Sequence, residues 1–156
     1  MIKFVKGDLL SAPVEALVNT VNTVGVMGKG IALQFKERFP GNYAAYRNAC
    51  RHGEVVVGRM FVSEERSMID GENKIIINFP TKKHWRSPSQ LEYVEEGFVD
   101  LSRIIAAKNI KNIAIPALGC GNGGLDWGVV KKMIETTLGV LDDVEILVYE
   151  PNGSVK

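Results

Sequence analysis

The 156-residue chain is poor in the residues that build most metal and redox sites, with two cysteines and two histidines. Cys50 and Cys120 belong to no CxxC or Cys/His cluster. They support neither a zinc site nor a disulfide framework, and they suit a reducing cytoplasm. No apolar run approaches the ~18 residues needed to span a bilayer, and no signal peptide opens the chain, so neither membrane nor export is expected. One charge sign hardly exceeds the other: 19 Lys and Arg stand against 18 Asp and Glu. A global field that recruits nucleic acid is thereby excluded, and any such binding requires a local patch. Repeats are absent. No GxxxxGK(S/T) occurs and no GxGxxG follows the first strand, which disfavours phosphoryl transfer and the Rossmann dehydrogenases.

What the chain does have is glycine, grouped in two stretches. Asn19 to Ala32 reads NTVNTVGVMGKGIA, and Ala117 to Trp127 reads ALGCGNGGLDW. Around them, short β-rich runs alternate with helical patterns. Ile2 to Val5, Ala16 to Asn19, Lys74 to Phe79, Asn112 to Pro116 and Val144 to Tyr149 read as strands, with one or two more in Val55 to Val62. Gly30 to Phe39 predicts a helix with Ile31, Phe35 and Phe39 on one face, and a second helix covers Asn42 to Arg51. Ser89 and Glu92 match a capping box ahead of a long helix whose stripe is Leu91, Val94, Phe98, Leu101 and Ile105. Asp126 is placed to N-cap a last helix. At this length the pattern predicts one α/β domain with a largely parallel sheet covered on both faces. The PNGSVK tail reads as a boundary, and a longer natural chain beyond residue 156 stays open.

Ligands in such sheets bind beyond the carboxyl ends of the strands, and both glycine stretches lie there. Their N–H groups can approach an anion without obstruction by Cβ, and the helix that follows adds its positive end. Two opposed loops suit a diphosphate. Tight structural turns are the other reading.

These residues fall in the order of a known family. GDL at Gly7 to Leu9, NTVNTVGVMGKGIALQFKERFP, PALGCGNGGLDW and the closing VYEP resemble a macrodomain, the ADP-ribose-binding α/β/α module, over nearly the full length. The resemblance implies a three-layer α/β/α fold with a mixed, largely parallel sheet, residues 1–156 as a single domain, ADP-ribose as ligand, and no cofactor or metal. VMGKGIA in the first loop and TKK at Thr81 to Lys83 are similar to the branch that holds the human terminal ADP-ribose protein glycohydrolase and the bacterial DarG antitoxins. The catalytic lysine of that branch matches Lys82, with Lys83 the alternative one position on. Where the human enzyme has an acidic residue in its second loop, this chain has Gly123. The departure favours the DarG type, which removes ADP-ribose from thymidine in single-stranded DNA and so reverses a cognate DarT-type toxin in the cytoplasm. Two alternatives stay open: hydrolysis of an ADP-ribosyl ester on a glutamate of a protein, and a non-catalytic ADP-ribose reader.

The same resemblance distributes the site residues. Asp8 accepts from the adenine amino group, the Leu9 backbone holds the base, and Tyr149 packs near it. An Asx turn or helix cap is the local alternative for Asp8. Asn22 serves the distal ribose; a turn-forming role is equally open. Gly28, Gly30 and Ile31 form one wall. Leu118, Gly119, Cys120, Gly121, Asn122, Gly123, Gly124 and Leu125 form the other. Cys120 is read as a small residue whose backbone faces the ligand, not as a nucleophile. Lys82 acts on the distal ribose if burial or nearby cations lower its pKa. KKHWRSPS, Lys82 to Ser89, is the one basic cluster with an embedded aromatic. There Lys83 and Arg86 (with His84) are candidates for DNA phosphates and Trp85 for a base, the alternative being a solvated loop with Trp85 packed on the domain.

Overall fold

The computed structural model describes residues 1–121 and 123–151. Its elements run β1 (Ile2–Val5), β2 (Ala16–Asn22), α1 (Gly30–Arg38), α2 (Pro40–Arg51), β3 (Phe61–Arg66), β4 (Asn73–Lys82), α3 (Leu91–Ala107), β5 (Asn112–Ile115), α4 (Trp127–Leu138) and β6 (Glu145–Tyr149). The six strands form one sheet in the order β1-β6-β5-β2-β4-β3. Every pairing is parallel except β3 on β4, which closes one edge antiparallel. The mixed, largely parallel sheet is the one expected.

Side-chain alternation splits the core into two layers, because successive strand residues face opposite sides. Ala16 and Val18, Ile77 and Phe79, Ile113 and Ile115, and Ile146 and Val148 pack with Phe98 and Leu101 of α3 and Val130 and Ile134 of α4. Their neighbours Leu17, Ile76 and Ala114 pack with Phe35 and Phe39 on the other side, where α1 lies. Beside that layer, Tyr46 and Ala49 of α2 pack with Val21, Met27 and Val55. Helices thus cover both faces, and the apolar runs Lys74 to Phe79 and Asn112 to Pro116 lie in the largely buried strands β4 and β5.

Three boundaries differ from expectation. Both β2 and β4 run three residues beyond the predicted ends, to Asn22 and Lys82, because their ladder continues past the apolar core into polar residues. Within Val55 to Val62, only Phe61 and Val62 belong to a strand. The Ser89/Glu92 capping box does not form: Gln90 occupies the cap position of α3 without a side-chain bond. Ser89 instead turns toward the second glycine loop, donating its N–H to the Gly123 carbonyl at 3.0 Å. Asp126 does cap α4, accepting from Val129 N–H at 3.1 Å.

Gly97 lets α3 approach the sheet. A Cβ there would fall inside the ring of Phe79, itself fully buried and edge-on to Phe98 with centroids 5.5 Å apart. Alanine normally favours a helix over glycine by about 1 kcal/mol. Here overpacking wins: Gly97→Ala is expected to lose about 1–3 kcal/mol, read as a lower midpoint in urea denaturation at unchanged m.

Candidate functional site

Adjacent strands β2 and β5 send their chains to opposite faces, β2 to α1 and β5 to α4. A crevice opens between parallel strands at such a reversal. Both glycine loops leave from it, residues 23–29 after β2 and residues 116–126 after β5.

The first loop is wound around the side chain of Asn22. Its Oδ1 accepts from the N–H groups of Val24, Gly25 and Val26 at 3.1, 3.2 and 3.3 Å. The Tyr46 hydroxyl lies 2.9 Å from the same oxygen and 2.8 Å from the Asn22 carbonyl. Nδ2 donates to Val26 O at 2.9 Å. The amide is buried, and only its second Nδ2 hydrogen is left for a ligand. The turn-forming alternative is therefore realised here, whatever else Asn22 does. Beyond it the chain passes Gly28, enters α1 at Gly30 with φ +57°, and has no side chain capping the helix start. That start keeps N–H groups free for an anion.

Lys82 ends β4 directly across the ladder from Asn22, where the register slips between Val21 and Asn22. It is half-buried, and its pKa is lowered, first by that burial and then by the positive charge of Lys29 in the first loop. The next residue is clasped: Thr23 donates both its N–H, at 3.2 Å, and its hydroxyl, at 2.8 Å, to the Lys83 carbonyl. Past the clasp, the rings of His84 and Trp85 stack with centroids 5.2 Å apart, and the Arg86 guanidinium sits 4.5 Å from the Trp85 ring centre. Trp85 stays 42% exposed, so it is layered between neighbours of its own loop and not packed into the domain.

The second loop is held by its own backbone, with Leu125 N–H on Gly119 O at 2.9 Å, Cys120 N–H on Ala117 O, and Gly124 N–H on Gly121 O. Gly119 takes φ +76°, a region open to glycine. Gly123 needs the absence of a side chain for another reason: a Cβ would collide with Ser89 Oγ and with the Gly119 carbonyl oxygen. Leu118 is buried beneath the loop. The Cys120 thiol donates to Leu118 O at 3.5 Å. Burial and then Asp126 push it up to about 11, which disqualifies it as a nucleophile at neutral pH. Asn122 lies outside the described residues.

At the β6 side, Asp8 accepts from Leu10 N–H at 3.1 Å and from the Ser11 hydroxyl at 2.8 Å, capping a short turn at Leu9–Ser11. The Tyr149 hydroxyl is made less acidic by burial and then by the charge of Asp8. Ile31 and Tyr149 both pack on the cluster that contains Leu9. The sheet therefore lays the candidates out in order: Tyr149 and Asp8 beside β6, the second loop on β5, the first loop and Asn22 on β2, Lys82 on β4. At about 4.8 Å per strand, the row spans roughly 14 Å. Ser89, Tyr46 and Thr23 belong to this arrangement although nothing in the sequence marks them as site residues. Among the described residues, no three His, Cys, Asp or Glu converge as a metal site would require. A groove of about 450 Å³ with Glu95 and Lys132 in its walls runs along α4 from Asp126, at the end of the second loop.

Comparison with known proteins agrees with the fold. The Macro domain model matches residues 18–134. A "DNA ADP-ribosyl glycohydrolase" of Thermus aquaticus is 58% identical over 97% of this chain and 41% of its own length. One of Mycobacterium tuberculosis is 55% identical over 98% of this chain and 43% of its own. The chain thus spans about two fifths of the length of these curated relatives. Its fold matches the solved macrodomain of M. tuberculosis DarG with a TM-score of 0.92, over 97% of this chain and 98% of that one. The structure of Thermosipho africanus DarTG in complex with ADP-ribose matches with a TM-score of 0.89 at 33% identity, over 97% of this chain and 42% of that one. The chain belongs to the Macro domain family.

Proposed function

We propose that this macrodomain is an ADP-ribosyl glycohydrolase that frees thymidine in single-stranded DNA, countering a cognate DarT-type toxin in the cytoplasm. The observation that carries the reading is Lys82: a half-buried amine of lowered basicity, fixed opposite Asn22 at the far end of a row that begins with Asp8 and Tyr149. The names of the relatives at 55–58% identity support the DNA substrate. The T. africanus relative, a fusion of DNA ADP-ribosyl transferase and glycohydrolase, supports the toxin partner. No helix of the described residues is long and apolar enough to cross a membrane.

In this reading the adenine lies by Asp8, Leu9, Ile31 and Tyr149. The diphosphate takes the N–H groups of Gly28, Gly30 and the loop from Gly119 to Leu125, and the distal ribose meets Asn22. The neutral Lys82 amine bonds to the anomeric carbon of the distal ribose as the bond from that carbon to the base nitrogen breaks, and the nitrogen leaves with one proton of the amine. The glycosylamine so formed opens to an imine: the bond from the anomeric carbon to the ring oxygen breaks, and that oxygen takes the amine's second proton. Water then hydrolyses the imine, so that ADP-ribose departs and the amine is restored. An unmodified DNA strand is the second product. Acid–base help from the second loop is not called on, because Gly123 leaves no room for a carboxylate.

Lys82→Ala is expected to abolish turnover while ADP-ribose affinity by calorimetry stays within a few-fold; full activity in that variant removes Lys82 from the mechanism. Attack requires the neutral amine. The rate should therefore climb with pH and level off above a Lys82 pKa that lies below the ordinary lysine value. A rate that falls across that range would assign Lys82 instead to stabilising negative charge as a cation. Gly123→Ala is expected to weaken ADP-ribose by tenfold or more through displacement of the second loop, with unchanged affinity as the contrary result. Release of ADP-ribose is to be followed from a thymidine-linked ADP-ribosyl oligonucleotide and, separately, from a glutamate-linked ADP-ribosyl protein. Release from DNA alone is expected, with a steeper salt dependence than free ADP-ribose binding; release from protein alone, or from neither, overturns the proposal.

A further inference from the structure

A modified nucleotide inside a strand has a neighbour on each side, yet the loop after β4 provides cations on only one side of Lys82. The sequence around the cleft is free of acid over long stretches: none occurs from Ala16 to Lys36, from Arg38 to Gly53, or from Asn73 to Leu91. In a chain with nearly equal numbers of both signs, the segments on the β2 and β4 side of this edge carry no carboxylate, whereas Asp8 and Asp126 lie toward β6 and β5. Helix α2 contributes two of the cations left uncompensated there. Arg47 and Arg51 are one helical turn apart, both exposed, and neither joins an ion pair among the described residues. The first acid after them is Glu54.

Their position follows from two contacts. Asn42, near the start of α2, is bonded to Asn78 in the middle of β4, whereas Tyr46 reaches Asn22 at the end of β2. The helix therefore climbs toward the carboxyl edge, and its last turn stands beside the first loop. The stem of Arg47 lies against that loop: a Cβ at Gly25 would be 3.5 Å from Arg47 Cγ. On the opposite flank, Thr23 is clasped to Lys83. Residues 23–25 thus form a ridge held at Thr23 by the loop that carries Lys83 and Arg86, and at Gly25 by the helix that carries Arg47 and Arg51. Val24, 46% exposed, forms its crest.

We propose that Arg47 and Arg51 are the second half of a phosphate track for single-stranded nucleic acid, which crosses the residue 23–25 ridge from Lys83 and Arg86. The inference rests on the DNA-directed reading above and extends its binding surface to a second element. At i, i+4 spacing the two side chains leave the helix about 6 Å apart, close enough to serve neighbouring phosphates. The guanidinium groups need no fixed geometry for this, since a backbone contact of this kind is read as charge and not as sequence.

The test uses fluorescence anisotropy with an unmodified oligo(dT) long enough to overhang the ridge on both sides. Wild type is compared with R47Q/R51Q and with the charge-preserving R47K/R51K over a salt series. Loss of two phosphate contacts is expected to weaken binding several-fold at low salt. It should also make the slope of log K against log salt shallower by about 1.4. R47K/R51K should keep the wild-type slope, and free ADP-ribose affinity should be the same in all three proteins. An unaltered slope in R47Q/R51Q overturns the track, as does a wild type that does not bind the oligonucleotide. If wild type still turns over ADP-ribosyl DNA in either case, the reaction stands and only the track falls. Absence of turnover on DNA takes down the reaction, while the anisotropy arm still decides the track. Urea denaturation of R47Q/R51Q separates these outcomes from misfolding, and the single variants R47Q and R51Q, each expected to lose about half the effect, serve if the pair does not fold.

Discussion

The site depends on one carbonyl oxygen. Asn22 Oδ1 gathers three consecutive N–H groups and shares the hydroxyl of Tyr46, so the first loop is shaped by a side chain at the end of its own strand. Each such bond contributes only about 1 kcal/mol net, but buried donors left without it would each cost up to about 3 kcal/mol. The loop therefore stays in one conformation, and the same residue meets Lys82 across the ladder. Loop shape and lysine position are set together. Through Thr23 the constraint passes on to the basic loop, so three segments distant in sequence act as one rigid lip.

Electrostatics follow from that lip. A half-buried ammonium with a second cation nearby and no carboxylate partner among the described residues is disfavoured, and the pKa falls. The direction is a property of the neighbourhood as much as of Lys82, since Lys29 belongs to the loop that Asn22 shapes. The absence of acids from the surrounding segments serves both ends at once. It leaves the amine unneutralised, and it leaves the outer cations available to a polyanion.

Much of this was legible in the sequence because it depends on local chemistry. Buried strands, the Asp126 cap and glycine loops at strand ends each have short-range signatures, and all appear where expected. The adjacency of β2 and β5 has no such signature. It arises from long-range pairing, and only it brings the two loops together. Ser89 shows how a local rule fails. The Ser-x-x-Glu spacing was right for a capping box, but a backbone contact with Gly123, 34 residues away, turned Ser89 elsewhere. Its Oγ is left buried without a hydrogen-bond partner among the described residues. For Trp85 the alternative of packing on the domain is not taken, because His84 and Arg86 lie against its ring within the same loop. For Asn22 the sequence left two roles open, and the turn-forming one is realised because the amide's partners are the backbone that follows it.

The crowding at Gly123 has an evolutionary reading. A Cβ there meets a backbone oxygen as well as the Ser89 side chain, so shrinking Ser89 does not make room. A codon change that adds a side chain at this point must displace backbone as well as Ser89. Any lineage that placed a new catalytic side chain here would first have had to move the whole Gly119 peptide. At Gly123 itself, then, new chemistry requires a moved backbone and not merely a new side chain.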